Sequence, residues 1–155
     1  MKLICIAGLP GTGKTHLAKH IASQTGAIRL SRDEIRAQMF ETPDYSKHEK
    51  EIAFGAMLFL ARQFLRQGRD VILEGMPFSR REERDAAREL ALEMGADFEL
   101  IHCICPEEVA IKRIASQEHP AADRNVDLYY RVRERFEPFG HDEQPVEIDT
   151  SQTED

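Results

Sequence analysis

Eight consecutive residues near the start of the chain carry the most specific chemistry in this sequence. Gly8-Leu9-Pro10-Gly11-Thr12-Gly13-Lys14-Thr15 fits the pattern G-x-x-x-x-G-K-[ST], a phosphate-binding loop. Small residues let the backbone wrap a phosphate closely and turn amide N–H groups toward it, and the helix that follows adds its positive dipole end. Lys14 supplies a mobile cation for the β- and γ-oxygens of a nucleoside triphosphate, and the Thr15 hydroxyl is a ligand type suited to Mg²⁺. The context is right as well: an apolar run, Leu3–Ala7, precedes the loop, and Leu17, Ala18, Ile21 and Ala22 form an amphipathic pattern after it.

Three further charged positions could complete a phosphoryl-transfer site. Asp33 opens a short helical pattern, where a carboxylate could accept the proton of an attacking alcohol; equally, Asp is a favoured helix N-cap. Arg36 lies at i+3 from Asp33, so both can face one pocket, unless Arg36 is a solvated helix residue. Glu74 ends an apolar run, Val71-Ile72-Leu73, where a carboxylate can hold a Mg²⁺-bound water; otherwise it is a strand-end surface acid. The six histidines show no metal spacing. Arg80, Arg84 and Arg88 recur every four residues among Glu82, Glu83, Asp85 and Glu89, which reads as a salt-bridged solvent face.

These residues need a scaffold, and the chain alternates strand and helix patterns as an α/β domain with a parallel sheet does. Strands are expected at Lys2–Ala7, Ala27–Leu30, Asp70–Glu74, Phe98–Cys103 and Val146–Ile148. Ser46/Glu49 and Ser79/Glu82 have capping-box spacing and open helices to about Gln67 and Met94. In the first of these, Ile52, Ala56, Leu60 and Phe64 form one apolar stripe and Phe54, Leu58, Ala61 and Leu65 another, which predicts burial on two faces. Pro106 suits the first turn of a helix to about Ala115, and Val126–Phe136 is a last helix. Residues Ser116–Arg124 read as a mobile loop. The domain is expected to span residues 1–149, with 150–155 a disordered acidic tail.

A chain of 155 residues is one domain's worth, and its formal charge of −7 argues against broad adhesion to nucleic acid or anionic lipid. No apolar run has the length of a membrane span. Cys5, Cys103 and Cys105 are odd in number and lie in apolar runs, as small hydrophobes in a reducing cytoplasm do. The single asparagine, Asn125, is followed by Val126, so the Asn-Lys-x-Asp guanine-reading motif is missing and the GTPases fall away.

Taken together, the phosphate loop, Ser31-Arg32-Asp33-Glu34-Ile35-Arg36 and Val71-Ile72-Leu73-Glu74-Gly75 resemble the small P-loop kinases of the polynucleotide-kinase-like group. The resemblance runs through Cys105-Pro106-Glu107-Glu108 and Lys112-Arg113. It implies a three-layer P-loop NTPase fold whose five-stranded parallel sheet has the order 2-3-1-4-5, with helices on both faces and a lid. It further implies ATP as donor, Mg²⁺ as metal, Asp33 as the acid beside the γ-phosphate, Arg36 as holder of an acceptor phosphate and Arg113 as a lid cation. The chain departs from that group in three places. Glu74 stands where Asp is usual, Gln117 where a second lid arginine is usual (Arg124 is an alternative), and Glu74-Gly75-Met76-Pro77 is similar to nucleoside monophosphate kinases, though Phe78 replaces their arginine. A polynucleotide 5′-hydroxyl and a small-molecule alcohol both stay open as acceptor, as does a nucleotide-binding module without turnover.

Overall fold

The computed structural model describes residues 1–116 and 125–152. The chain runs β1 (Lys2–Ala7), α1 (Lys14–Thr25), β2 (Ile28–Ser31), α2 (Arg32–Met39), α3 (Lys47–Arg66), β3 (Val71–Glu74), α4 (Arg81–Glu93), β4 (Asp97–Ile104), α5 (Glu107–Ser116), α6 (Val126–Arg135) and β5 (Val146–Asp149). The sheet has five strands in the order β2-β3-β1-β4-β5, and every pairing is parallel. This is the fold class and strand order that the resemblance implied.

Strand side chains alternate between two cores, as a period of two demands. Leu3, Cys5, Ala7, Val71 and Leu73 face a core built with Met57, Ala61 and Leu65 of α3 and Ala87, Leu90 and Ala91 of α4. Ile4, Ile6, Ile72, Ile101 and Cys103 face the other, where Ala18 of α1 packs with Leu17, Ile21 and Ala22. With both faces covered, β1 is unbroken in apolar residues from Leu3 to Ala7 and β3 from Val71 to Leu73, and their C-terminal ends converge beside the phosphate loop.

Local expectations failed at two helices. The inner stripe of α3 is Ala53-Met57-Ala61-Leu65; Ile52 and Leu60, placed on a buried stripe by sequence, are exposed. A helix on an outer layer has one sheet-facing side, and the 52-56-60-64 row falls at its solvent margin. Helix α4 begins one residue later than its apparent capping box. Arg80 is the N-cap, and the Glu83 carboxylate, not Glu82, accepts from the Arg80 amide at 3.2 Å. At α3 the Ser46 hydroxyl does accept from the Glu49 amide at 3.1 Å, but the Glu49 carboxylate reaches past the cap to the amides of Asp44 and Tyr45.

The three cysteines are free thiols, and burial pushes the Cys103 thiol up to about 11. No helix among the described residues is long and apolar enough to cross a membrane.

Candidate nucleotide and phosphoryl-acceptor site

The phosphate loop joins β1 to α1 and is held from behind by its carbonyls. Lys14 Nζ donates to the Gly8 and Leu9 carbonyls, each at 2.9 Å. Arg113 Nη1 lies 3.4 Å from the Gly11 carbonyl, and the Thr150 hydroxyl donates to the Thr12 carbonyl at 2.6 Å. A trans peptide that points the Thr12 carbonyl at Thr150 points the Gly13 N–H the opposite way, and Gly13, Lys14 and Thr15 line the cleft. Gly11 has φ +81, and a Cβ there would stand 2.6 Å from the Ala110 carbonyl oxygen. Only glycine lets the loop lie against α5 in that conformation.

Thr15, on the first turn of α1, meets Glu74 at the end of β3. The Thr15 hydroxyl donates to Glu74 Oε1 at 2.9 Å, and Arg29 of β2 bonds the other carboxylate oxygen. Glu74 is fully buried, so it is not the strand-end surface acid that the sequence also allowed. Burial pushes its carboxyl above the ordinary range, while Thr15 and Arg29 oppose that shift. Arg29 also forks onto Glu34. Among the described residues no three His, Cys, Asp or Glu side chains gather as a metal site. A hydroxyl and a carboxylate side by side nevertheless suit Mg²⁺, which takes one or two hard oxygen ligands from protein and the rest from phosphate and water.

Asp33 and Arg36 come together as their spacing predicts, but in different surroundings from those expected. Ser31 is the N-cap of α2, accepting from the Glu34 amide, so Asp33 is not the cap. Its carboxylate lines the cleft, 3.2 Å from Arg36 Nη2 and 3.5 Å from Arg32 Nη2. Arg36 is 1% exposed, which removes the solvated-helix alternative. It pairs with Glu49 at 3.7 Å and lies 4.5 Å from the Tyr45 ring centroid, and it is not among the residues lining the cleft.

Arg113 also differs from its expected place. It is buried, and it donates to the Thr150 carbonyl at 2.6 Å and the Thr150 hydroxyl at 3.1 Å, bracing the phosphate loop from beneath. Thr150 itself, assigned to a disordered tail by sequence, is 4% exposed and belongs to the loop's support. Gln117 and Arg124 lie outside the described residues.

The cleft encloses about 1210 Å³ and reaches from the phosphate loop past Asp33 to Phe54, Ser79 and Arg80, with Arg131 and Arg135 of α6 on its wall. The sequence reading missed Arg29, Arg32, Glu49 and Thr150. Arg29 alternates with apolar Ile28 and Leu30 on its strand, which was a usable signal; the others depend on contacts distant in sequence. It also misplaced Arg84, which is buried and bonds Glu143 instead of facing solvent.

The sequence profile of the AAA domain family (AAA_33) matches residues 3–139. The chain belongs to that family. Among curated proteins, an uncharacterized protein of Mycobacterium tuberculosis, Rv2004c, is 26% identical over 140 residues, covering 83% of this chain. The chain spans only 28% of that relative's length. Among solved structures, a candidate kinase of Chloroflexus aurantiacus superposes with a TM-score of 0.77 at 24% identity, covering 99% of this chain and 91% of that one. An APS kinase of M. tuberculosis, solved with AMPPNP and APS, gives 0.64 at 19% identity, with 96% and 87% covered. The Pnkp1/Rnl/Hen1 complex gives 0.64 at 21%, covering 82% of this chain and 43% of that one. The chain therefore has a P-loop kinase fold.

Proposed function

We propose that this protein is an ATP- and Mg²⁺-dependent kinase that transfers the γ-phosphoryl group to an alcohol. The observation that carries the reading is that one cleft is lined by Lys14, Thr15, Glu74 and Asp33, the donor, metal and acceptor functions of phosphoryl transfer. Lys14 leaves the loop carbonyls for the phosphate oxygens when ATP binds. Thr15 and Glu74 would hold Mg²⁺, which when bound would supply neutralisation of the phosphate charge. The acceptor oxygen forms a bond to the γ-phosphorus as the bond to the β,γ-bridging oxygen breaks. The electron pair leaves on ADP, and the acceptor's proton passes to Asp33.

Arg36 acts through Asp33, which it orients from behind, and Arg113 acts by fixing the loop. The acceptor is a polynucleotide 5′-hydroxyl or a small molecule. Free thiols suit a reducing compartment such as the cytoplasm, and the kinase unit extends through Thr150. Arg29 bound to the carboxylate of Glu74 favours one second reading, a nucleotide-binding module without turnover in which that ion pair does not open.

Incubation with γ-labelled ATP, Mg²⁺ and a panel of 5′-hydroxyl oligonucleotides, nucleosides, nucleotides and sugars decides between them. Label is expected to move to an acceptor, and Asp33→Asn should lower that transfer by roughly 10²–10⁴-fold with ATP binding intact. Tight ATP binding with no transfer to any acceptor would select the module. Lys14→Ala binding ATP as well as the parent would sink both.

A further inference from the structure

The first and fifth residues of α2 divide their work unexpectedly. Arg36, which by resemblance should hold an acceptor phosphate, is packed behind the cleft against Glu49 and Tyr45. Arg32 lines the cleft instead. Its side chain is 10% exposed, its Nε is buried without a hydrogen-bond partner, and its contact with Asp33 is 3.5 Å long. That length is the outer limit of a hydrogen bond, and the same carboxylate oxygen also serves Arg36. Ser79 and Arg80, at the start of α4, line the same cleft.

A guanidinium taken out of water needs nearly all its donors satisfied and its charge matched. Arg32 has neither. Burial lowers its affinity for a proton; Asp33 opposes this and the positive charge of Arg36 adds to it, with Glu83 a further opposing carboxylate. The imbalance grows during the proposed reaction, because Asp33 loses its negative charge on taking the acceptor's proton. A compact oxyanion on the substrate would supply the missing charge and acceptors, and it would keep Arg32 paired throughout. The planar fork of arginine suits a phosphate or carboxylate bidentately.

We propose that Arg32 is the acceptor-binding residue of this cleft and that it receives an oxyanion, so the substrate class is an anionic alcohol. This rests on the kinase reading for the word acceptor, but the subsite can be tested without turnover. The protein is saturated with AMPPNP and Mg²⁺, so that the phosphate loop is filled, and is titrated calorimetrically with inorganic phosphate and, separately, with gluconate. One of the two is expected to bind, and which one does identifies phosphate or carboxylate as the source. Arg32→Gln should weaken that binding at least tenfold and Arg32→Lys at least threefold, since lysine keeps the charge and loses the fork. Without ligand, Arg32→Gln should melt no lower than the parent, because an under-satisfied cation has been removed.

Binding of neither anion overturns the proposal, as does binding that Arg32→Gln leaves unchanged, or a fall in ligand-free melting temperature with binding intact. Should an anion bind through Arg32 while label never leaves ATP, the kinase reading fails and the subsite stands. Should label move while neither anion binds through Arg32, the reverse holds.

Discussion

Arg84 and Arg32 are both buried arginines near the start of a helix that follows a strand, and they are satisfied to opposite degrees. Arg84 of α4 uses all three nitrogens: Nε and Nη2 fork onto Glu143 at 2.7 and 3.1 Å, Nη1 donates to the Phe78 carbonyl, and Nη2 also reaches the Glu137 and Pro138 carbonyls. The Phe139 ring centroid lies 4.4 Å away. Arg32 has one long contact to a shared carboxylate. A buried cation whose needs are met inside the protein ties pieces of chain together, here α4 to the segment 136–143. Arg32, whose needs are not met inside the protein, faces a cleft, where the proposed oxyanion would complete it.

Removing one partner from each cluster tests that contrast. The largest effect is expected from Arg84→Ala, which strands Glu143 in the interior and opens the 136–143 segment. It should cost about 3–5 kcal/mol and lower the melting temperature by roughly 10 °C, measurable by calorimetry. A loss under about 1 kcal/mol would mean the clamp is decorative.

Glu143→Gln keeps the shape of the same clamp and removes its charge, for a smaller loss of about 2 kcal/mol near neutrality. Burial acts to raise the Glu143 carboxyl, but bonds from Arg84 and the Gly140 amide outweigh it and hold the group below its ordinary value of 4.5. A depressed carboxyl stabilises the fold above its unfolded value, and that contribution is lost as pH falls through the folded value. Urea denaturation between about pH 5 and pH 3 should therefore show a steeper fall in the parent than in Glu143→Gln; parallel curves would count against the ion pair.

The smallest effect belongs to the other cluster's outer support. Ser46→Ala removes the cap of α3 and should cost about 1 kcal/mol. Because Glu49 sits in the turn that Ser46 organises, the same change should loosen Arg36 and slow phosphoryl transfer more than it shifts the melting temperature. Equal proportional changes would detach Glu49 from the site.

The fold was legible because its signals are local and redundant. Apolar runs at 3–7 and 71–73, glycines after helices and the loop motif each mark an element without knowledge of its neighbours. The loop between β1 and α1 was legible for the same reason, since residues 8–15 are contiguous. The rest required tertiary knowledge. Arg84 looked solvent-exposed because acids surround it in sequence, yet the partner that buries it is 59 positions away. Arg36 was expected to face the pocket and is instead packed against Glu49 and Tyr45, because spacing along a helix gives the direction of a residue but not which side of that helix another element will cover. Ile52 and Leu60 misled in the same way.

The bond from Thr150 to the Thr12 carbonyl joins residues 138 positions apart, and this has a consequence for how the protein comes to bind nucleotide during synthesis. In sequence the phosphate loop is complete at Thr15, but the hydroxyl that holds its Thr12 carbonyl, and with it the facing of the Gly13 amide, comes only at Thr150. The loop reaches its full set of bonds only once β5 has joined the sheet, so nucleotide affinity is expected to rise at that step. Thr150→Val, which removes the hydroxyl but not the bulk, should weaken ATP binding about fivefold, the equivalent of one hydrogen bond; unchanged affinity would show that the loop sets its own shape.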